Sequence, residues 1–267
     1  MGEGRRDTGR GRISGVTDAE RQAALEAIAA EVRDCTRCRL HETRTKAVPG
    51  EGDPQTEVVF VGEGPGFNED QQGRPFVGRA GDLLVRLLGS IGWRRDQVFI
   101  TNIVKCRPPE NRDPEPDEIA ACAPYLRRQL EALDPAVIVT LGRHSMARFM
   151  PGARISQAHG TAHPADPATG AEKALVFAMY HPAAALRTPA IERESYDDIA
   201  SIPAVLLDAR ERRTAQKPQD SSLDEAASTA IRNVHVVGAQ ADAAHHSPVS
   251  SLAPDGTPAD TDQLTLF

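Results

Sequence analysis

Four cysteines, the only ones in the chain, are spaced Cys35-x2-Cys38 and then Cys106-x15-Cys122, which suits four thiolates converging on one metal centre. Two disulfides would need an oxidising compartment, and nothing in the sequence routes the chain to one. Zinc and iron–sulfur clusters both accept four cysteines, so the spacing leaves both open. A second set of reactive side chains is Glu63, Asn102 and His181, each at the end of an apolar run. A carboxylate can position or activate water. An amide can read the edge of a flat heterocycle, and a histidine can hydrogen-bond charge developing on a leaving group.

The elements that must hold these residues are legible as patterns. Four apolar runs, Glu57–Gly62, Gln97–Val104, Ala136–Gly142 and Ala174–His181, alternate with helical patterns at Ala80–Ile91, Asp117–Ala132, His144–Phe149 and roughly Tyr196–Arg212. Near-continuous hydrophobic strands between helices indicate an α/β fold whose parallel sheet is covered on both faces. An earlier helix over residues 18–34, with Asp18 as its expected cap, delivers Cys35 and Cys38. Ligands of open parallel sheets bind beyond the carboxyl ends of the strands. Those ends carry Gly62-Glu63-Gly64-Pro65-Gly66, Thr101-Asn102, Leu141-Gly142 and His181-Pro182, which predicts one shared cleft.

The Gly62–Gly66 loop departs from the nucleotide-cofactor pattern. Phe67 occupies the third glycine position of G-x-G-x-x-G, no Gly-Lys-Ser/Thr follows, and Asn68-Glu69-Asp70 adds charge that repels phosphate. It reads instead as a tight turn presenting backbone N–H groups and a carboxylate to a small polar ligand. Phe76, in Gly73-Arg74-Pro75-Phe76-Val77-Gly78, is either a core anchor or a stacking platform for a flat ring. The loop Lys105–Arg112 is either solvated or a metal-braced, cationic wall against a phosphate backbone. Asn102 is either a strand-end residue capping a loop or an amide that reads a base edge; uracil, with an N3–H donor beside an O4 acceptor, is an edge that such an amide can match. Cytosine presents the inverted pattern and would leave buried groups unpaired.

Hydrophobic residues make up 40% of the 267 and charged residues 26%, ordinary for a globular protein. No stretch approaches the roughly 20 apolar residues of a membrane span, and no apolar h-region follows the basic N-terminus, so a soluble intracellular protein is expected. The net charge of −7 argues against a nucleic-acid partner until it is divided. Residues 211–267 hold four Lys/Arg against eight Asp/Glu, a net of −4, which leaves −3 for residues 1–210. DNA binding would then rest on a local patch, with Lys105, Arg107, Arg112 and Arg187 as its cations. The expected organisation is a Gly/Arg-rich disordered tail over 1–17, one domain over 18–210, a disordered linker over 211–262 and a terminal peptide, 263–267.

GEGPGFNEDQQGRPFVGRAGDLL, ITNIVKCRPPENRDP and YHPAAALR resemble the family 4 uracil-DNA glycosylases, from about Cys35 to Leu207. The resemblance implies a three-layer α/β/α sandwich with a central four-stranded parallel sheet, and a [4Fe–4S] cluster on Cys35, Cys38, Cys106 and Cys122. It implies hydrolysis of the N-glycosidic bond of a flipped-out deoxyuridine in DNA, leaving an abasic site. Phe76 would stack on the base, with Gly62 and Gly64 lining it, and Asn102 would read its edge. His181 would stabilise charge on the departing base. Glu63 would handle the water, with Glu69 the second candidate. Leu186 and Arg187 match the loop that enters the duplex. Two features depart from similar enzymes: Ala183 stands where a serine often follows the His-Pro, and Gly64 where other branches place an aspartate. His163–Lys173 reads as an irregular insertion. The terminal Gln263-Leu264-Thr265-Leu266-Phe267 resembles the peptide by which bacterial repair proteins bind the sliding clamp. A monomer in the bacterial cytoplasm, at the nucleoid, is expected. The competing reading is a non-catalytic iron–sulfur adaptor that binds DNA and recruits the clamp.

Overall fold

The structure, a computed structural model, describes residues 16–237, with side chains of the closing helix described to residue 215. The chain divides into two units, Met1–Gln216 and Lys217–Phe267, and the features below, apart from the last part of the closing helix, belong to the first. The tail expected over the first residues lies almost wholly outside the described residues. So does the terminal peptide Gln263–Phe267.

Helices α1 (Asp18–Arg33) and α2 (Leu40–Thr43) precede strands β1 (Glu51–Gly52) and β2 (Val58–Gly62). After α3 (Phe67–Gln72) and α4 (Arg79–Ser90) come β3 (Phe99–Asn102), α5 (Pro116–Leu133), β4 (Val137–Leu141) and α6 (Arg143–Phe149). The remainder is α7 (Ile155–Ala158), β5 (Ala162–Pro164), β6 (Leu175–Met179), α8 (Pro182–Ala185) and α9 (Pro189–Val237). The strand order is β1-β3-β2-β4-β6-β5. The four predicted strands are β2, β3, β4 and β6, contiguous and parallel, and every residue in them is buried.

The sheet has six strands rather than four, because β1 pairs antiparallel with β3 and β5 with β6. These edges are two and three residues long and partly or fully exposed, too short and polar to show a strand period. Part of the expected insertion, His163 and Pro164, is thus paired into the sheet through β5. Proline is tolerated there because the edge strand needs no donor on its outer side.

Successive strand residues face opposite layers. Leu83, Leu84, Leu87 and Leu88 recur at helical spacing on α4 and pack, with Ile199 and Ile202 of α9, against Phe60, Val139 and Phe177. On the other face, Leu126 and Leu130 of α5 and Phe149 of α6 cover Val59, Val61 and Ile138. Burying each such side chain contributes about 1.5–3 kcal/mol, which commits both faces of the sheet to helices.

Two local expectations change. Thr17, not Asp18, caps α1: its Oγ1 accepts the Glu20 N–H, and Glu20 accepts the Thr17 N–H in return. The closing helix, expected over roughly Tyr196–Arg212, spans Pro189–Val237. Ala, Gln, Glu and Arg sustain a helical backbone without needing a buried face, so loss of apolar periodicity did not mark its end. Among the described residues no helix is long and apolar enough to cross a membrane.

Candidate active site

From β2 the chain passes outward to β3, then crosses back over β2 to reach β4. The direction of winding reverses beside β2, and the crevice beyond its carboxyl end is where such sheets hold ligands. A cleft of about 540 Å³ opens there, lined by Glu63, Phe76, Asn102, His144 and His181 among others. The strand ends singled out in the sequence do converge on one cleft.

Asn102 forms its floor. The residue is 1% exposed, yet neither Nδ2 nor Oδ1 has a hydrogen-bond partner. An amide left unpaired in a protein interior costs about 1–3 kcal/mol per group, so the arrangement calls for a ligand that completes it. Gly62 makes room for this floor: a Cβ there would stand 2.4 Å from Asn102 Oδ1 and 2.6 Å from Phe76 Cζ. Phe76 is buried, with φ of 49°, a conformation rare for an aromatic residue. Such strain, of order 1–3 kcal/mol, persists only where the surroundings over-determine it. Arg95 holds the Phe76 carbonyl at 2.9 Å, and Glu69 Oε1 accepts the N–H groups of Val77 at 2.8 Å and Gly78 at 2.9 Å. The other Glu69 oxygen accepts the Gly66 N–H at 3.1 Å. Glu69 thus ties the glycine loop to the Phe76 loop with both carboxylate oxygens.

His181 is the N-cap of α8, and its Nδ1 accepts the Ala183 N–H at 3.1 Å. That bond leaves Nε2 as the protonated nitrogen of the neutral ring. Burial pushes the ring's pKa down to about 4, helped by the Arg187 charge, so the imidazole is neutral at physiological pH and donates from Nε2. Its ring stands 5.8 Å from that of Phe76. Glu63 follows β2 directly, with its carbonyl bonded to the Val104 N–H at 3.1 Å. Burial raises its carboxyl pKa, opposed by His144. Gly64 has no space for a side chain, since a Cβ would lie 2.8 Å from Val104 Cγ2.

Cys35, Cys38, Cys106 and Cys122 line one small cavity with Val32, Arg44 and Tyr125. Burial raises the thiol pKa of Cys38 and Cys106 and carries that of Cys122 up to about 11, so thiolates here call for a bound cation. Two donors already point at the sulfurs: Arg44 Nη1 to Cys106 Sγ at 3.1 Å and the Lys105 N–H to Cys122 Sγ at 3.2 Å.

Lys105 is not a phosphate contact. It is 1% exposed, and its ammonium donates to Thr101 Oγ1, the Asn102 carbonyl and Gln129 Oε1 at 2.6, 2.8 and 2.7 Å. Three acceptors inside the fold outweigh the pull of solvent, although burial lowers its pKa to about 8. Arg112 lines the cleft but is paired to Glu118, whose carboxyl is held down at about 2 by that guanidinium above all. Arg107 lies over the exposed Phe67 ring at 5.3 Å, and Arg187 is exposed at the cleft rim. Leu186, at the end of the one-turn helix α8, is partly buried and packs against the core. The sequence reading missed Arg143, His144 and Asp113, which line the same cleft. The strand-end rule applied at Leu141-Gly142 and carried two residues further would have found His144.

The uracil DNA glycosylase superfamily matches residues 49–200, a span that holds Glu63, Asn102, His181, Cys106 and Cys122 but not the first cysteine pair. A type-4 uracil-DNA glycosylase of Sulfurisphaera tokodaii is 49% identical over 185 residues, 67% of this chain and 83% of the relative. One from Archaeoglobus fulgidus is 46% identical over 67% of this chain and 92% of its own length. One from Thermotoga maritima is 47% identical over 62% and 85%. With the sheet, the cleft and the four gathered cysteines in agreement, the chain belongs to the uracil-DNA glycosylase superfamily, in its type-4 branch.

Proposed function

We propose that this protein excises uracil from DNA by hydrolysing the N-glycosidic bond of a flipped deoxyuridine, leaving an abasic site for repair. The observation that carries this reading is the buried Asn102 amide, free at both ends on the floor of the cleft. Uracil completes it: Oδ1 accepts N3–H and Nδ2 donates to O4. Flipping the nucleotide costs a few kcal/mol, offset in part by stacking on Phe76. As the bond from N1 to C1′ breaks, its electron pair leaves with the base and the sugar becomes cationic. His181 Nε2–H donates to a carbonyl oxygen of the departing anion. A neutral donor is suited to this, since it stabilises the charge without having to give up its proton. The water oxygen bonds to C1′, with Glu63 aligning it and taking up the proton. Glu69 positions both loops. The adaptor reading offers no reason for a buried amide unpaired at both ends. Free uracil released from a uracil-containing single-stranded oligonucleotide, measured chromatographically, tests the proposal; a protein that binds the strand and releases none would overturn it.

Gly62→Ala is expected to lower uracil excision by roughly 100-fold, because the methyl displaces both Asn102 and Phe76, and an ångström of misplacement costs about that much. Single-turnover assays of the variant, with folding monitored by thermal unfolding, check this outcome.

Cys35, Cys38, Cys106 and Cys122 would hold a [4Fe–4S] cluster. Four cysteines around one cavity suit zinc as well, and it is the resemblance to the family 4 glycosylases that favours iron–sulfur. When bound, the cluster supplies cross-linking of the segments after α1, after β3 and within α5; no step of the hydrolysis needs an electron. A brown protein absorbing near ~400 nm is the expected observation, and a colourless zinc protein the contrary one. The terminal residues Gln263, Leu264, Leu266 and Phe267 would bind the bacterial sliding clamp, with the three apolar side chains in a pocket and the amide making polar contacts. Deleting 263–267 is expected to abolish capture on immobilised clamp; unchanged capture would refute this.

A further inference from the structure

At one lip of the cleft, Glu63, Asp113 and His144 bring three ligand-type atoms within 4.8 Å of one another. His144 stands in the first turn of α6, directly beyond β4, and its Nε2 lies 3.1 Å from Asp113 Oδ2 and 3.9 Å from Glu63 Oε2. This nitrogen is shielded from solvent and lacks an aligned hydrogen-bond partner in spite of the nearby Asp113 oxygen. Arg143 anchors the same Asp113 oxygen at 2.6 Å. The ring therefore faces two carboxylates, one exposed and tethered, the other half-buried and aimed into the cleft.

We propose that His144 is a positioning residue for Glu63: its Nε2–H, set between the Asp113 and Glu63 carboxylates, attracts the Glu63 carboxylate and holds it ionised and turned toward the attacking water. This rests on the uracil-excision reading and on the role of Glu63 within it. The charged groups that face Glu63 are His144 and Arg143 from α6 and Asp113 from the loop before α5. Burial and Asp113 favour the protonated acid, while His144 and Arg143 favour the carboxylate. A donor removed from this balance leaves Glu63 harder to ionise. A neutral Glu63 cannot accept a proton from water.

The test compares wild type, His144→Phe and His144→Gln in single-turnover excision on a uracil-containing single-stranded oligonucleotide across pH. His144→Phe fills the space without a donor. It is expected to lower the maximal rate roughly 10- to 100-fold with the KM unchanged, and to move the acid limb of the profile to higher pH. His144→Gln, which retains an N–H donor, is expected to recover much of the rate. In a Glu63→Gln background, His144→Phe should have little further effect, the coupling expected of a residue acting through Glu63. A wild-type rate and acid limb in His144→Phe would overturn the proposal, as would full additivity with Glu63→Gln. Failure of the underlying reading shows separately, as absence of uracil release by the wild-type protein.

Discussion

Asn102→Asp is expected to lower uracil excision by about a thousandfold or more at neutral pH. One Nδ2–H donor becomes a carboxylate oxygen facing O4, so a buried acceptor meets an acceptor, and sites built to pair a polar edge reject mismatches by about 10⁴–10⁵. The substitution is local. The bond from Lys105 reaches the backbone carbonyl of Asn102, and the four cysteines are untouched, so stability and the ~400 nm absorbance should be retained. A carboxyl buried without a partner takes up a proton readily, and a protonated one can both donate to O4 and accept N3–H. Activity of the variant should therefore rise as the pH falls toward 5, opposite to the trend expected from Glu63. Single-turnover rates across pH give the answer; undiminished excision at pH 8 would remove Asn102 from the mechanism.

The second large effect belongs to His181. His181→Asn keeps an acceptor for the Ala183 N–H, so α8 remains capped, but the shorter side chain cannot donate into the cleft. A loss of about 10²–10³ in kcat, with KM little altered, is expected from removing one donor that acts on the departing charge. The same histidine carries a pH signature in stability. Its folded pKa of about 4 lies below its ordinary value of 6.5, so between these pH values the unfolded chain binds a proton that the folded protein does not. The protein is therefore expected to lose about 3 kcal/mol as the pH falls from 6.5 to 4, and His181→Asn to lack that part of the loss. Urea unfolding of both proteins at pH 7 and pH 5 measures the difference. Equal pH dependence would show that the ring is not held neutral by burial.

The parts of the fold legible in the sequence are those written as long apolar patterns. β2, β3, β4 and β6 are continuous hydrophobic runs because helices cover both faces, and knowing that ligands gather at their carboxyl ends brought Glu63, Asn102 and His181 together. β1 and β5 were not legible, since strands of two and three residues acquire their form from the neighbour they pair with. Lys105 misled for a different reason. In sequence it is a cation in a loop beside arginines, and only the fold supplies the three acceptors that turn it inward. The loop-tying role of Glu69 was also hidden: two of its three N–H partners are eight and nine residues away, on a loop whose closeness no local pattern encodes.

On the reading proposed above, the cleft built around Asn102 selects uracil and releases it. The most direct test uses three single-stranded oligonucleotides, identical except for one deoxyuridine, thymidine or deoxycytidine, incubated with the full-length protein and then treated with alkali to break abasic sites. Cleavage at the deoxyuridine alone is the result predicted. Absence of cleavage there, or comparable cleavage at deoxycytidine, would contradict the account.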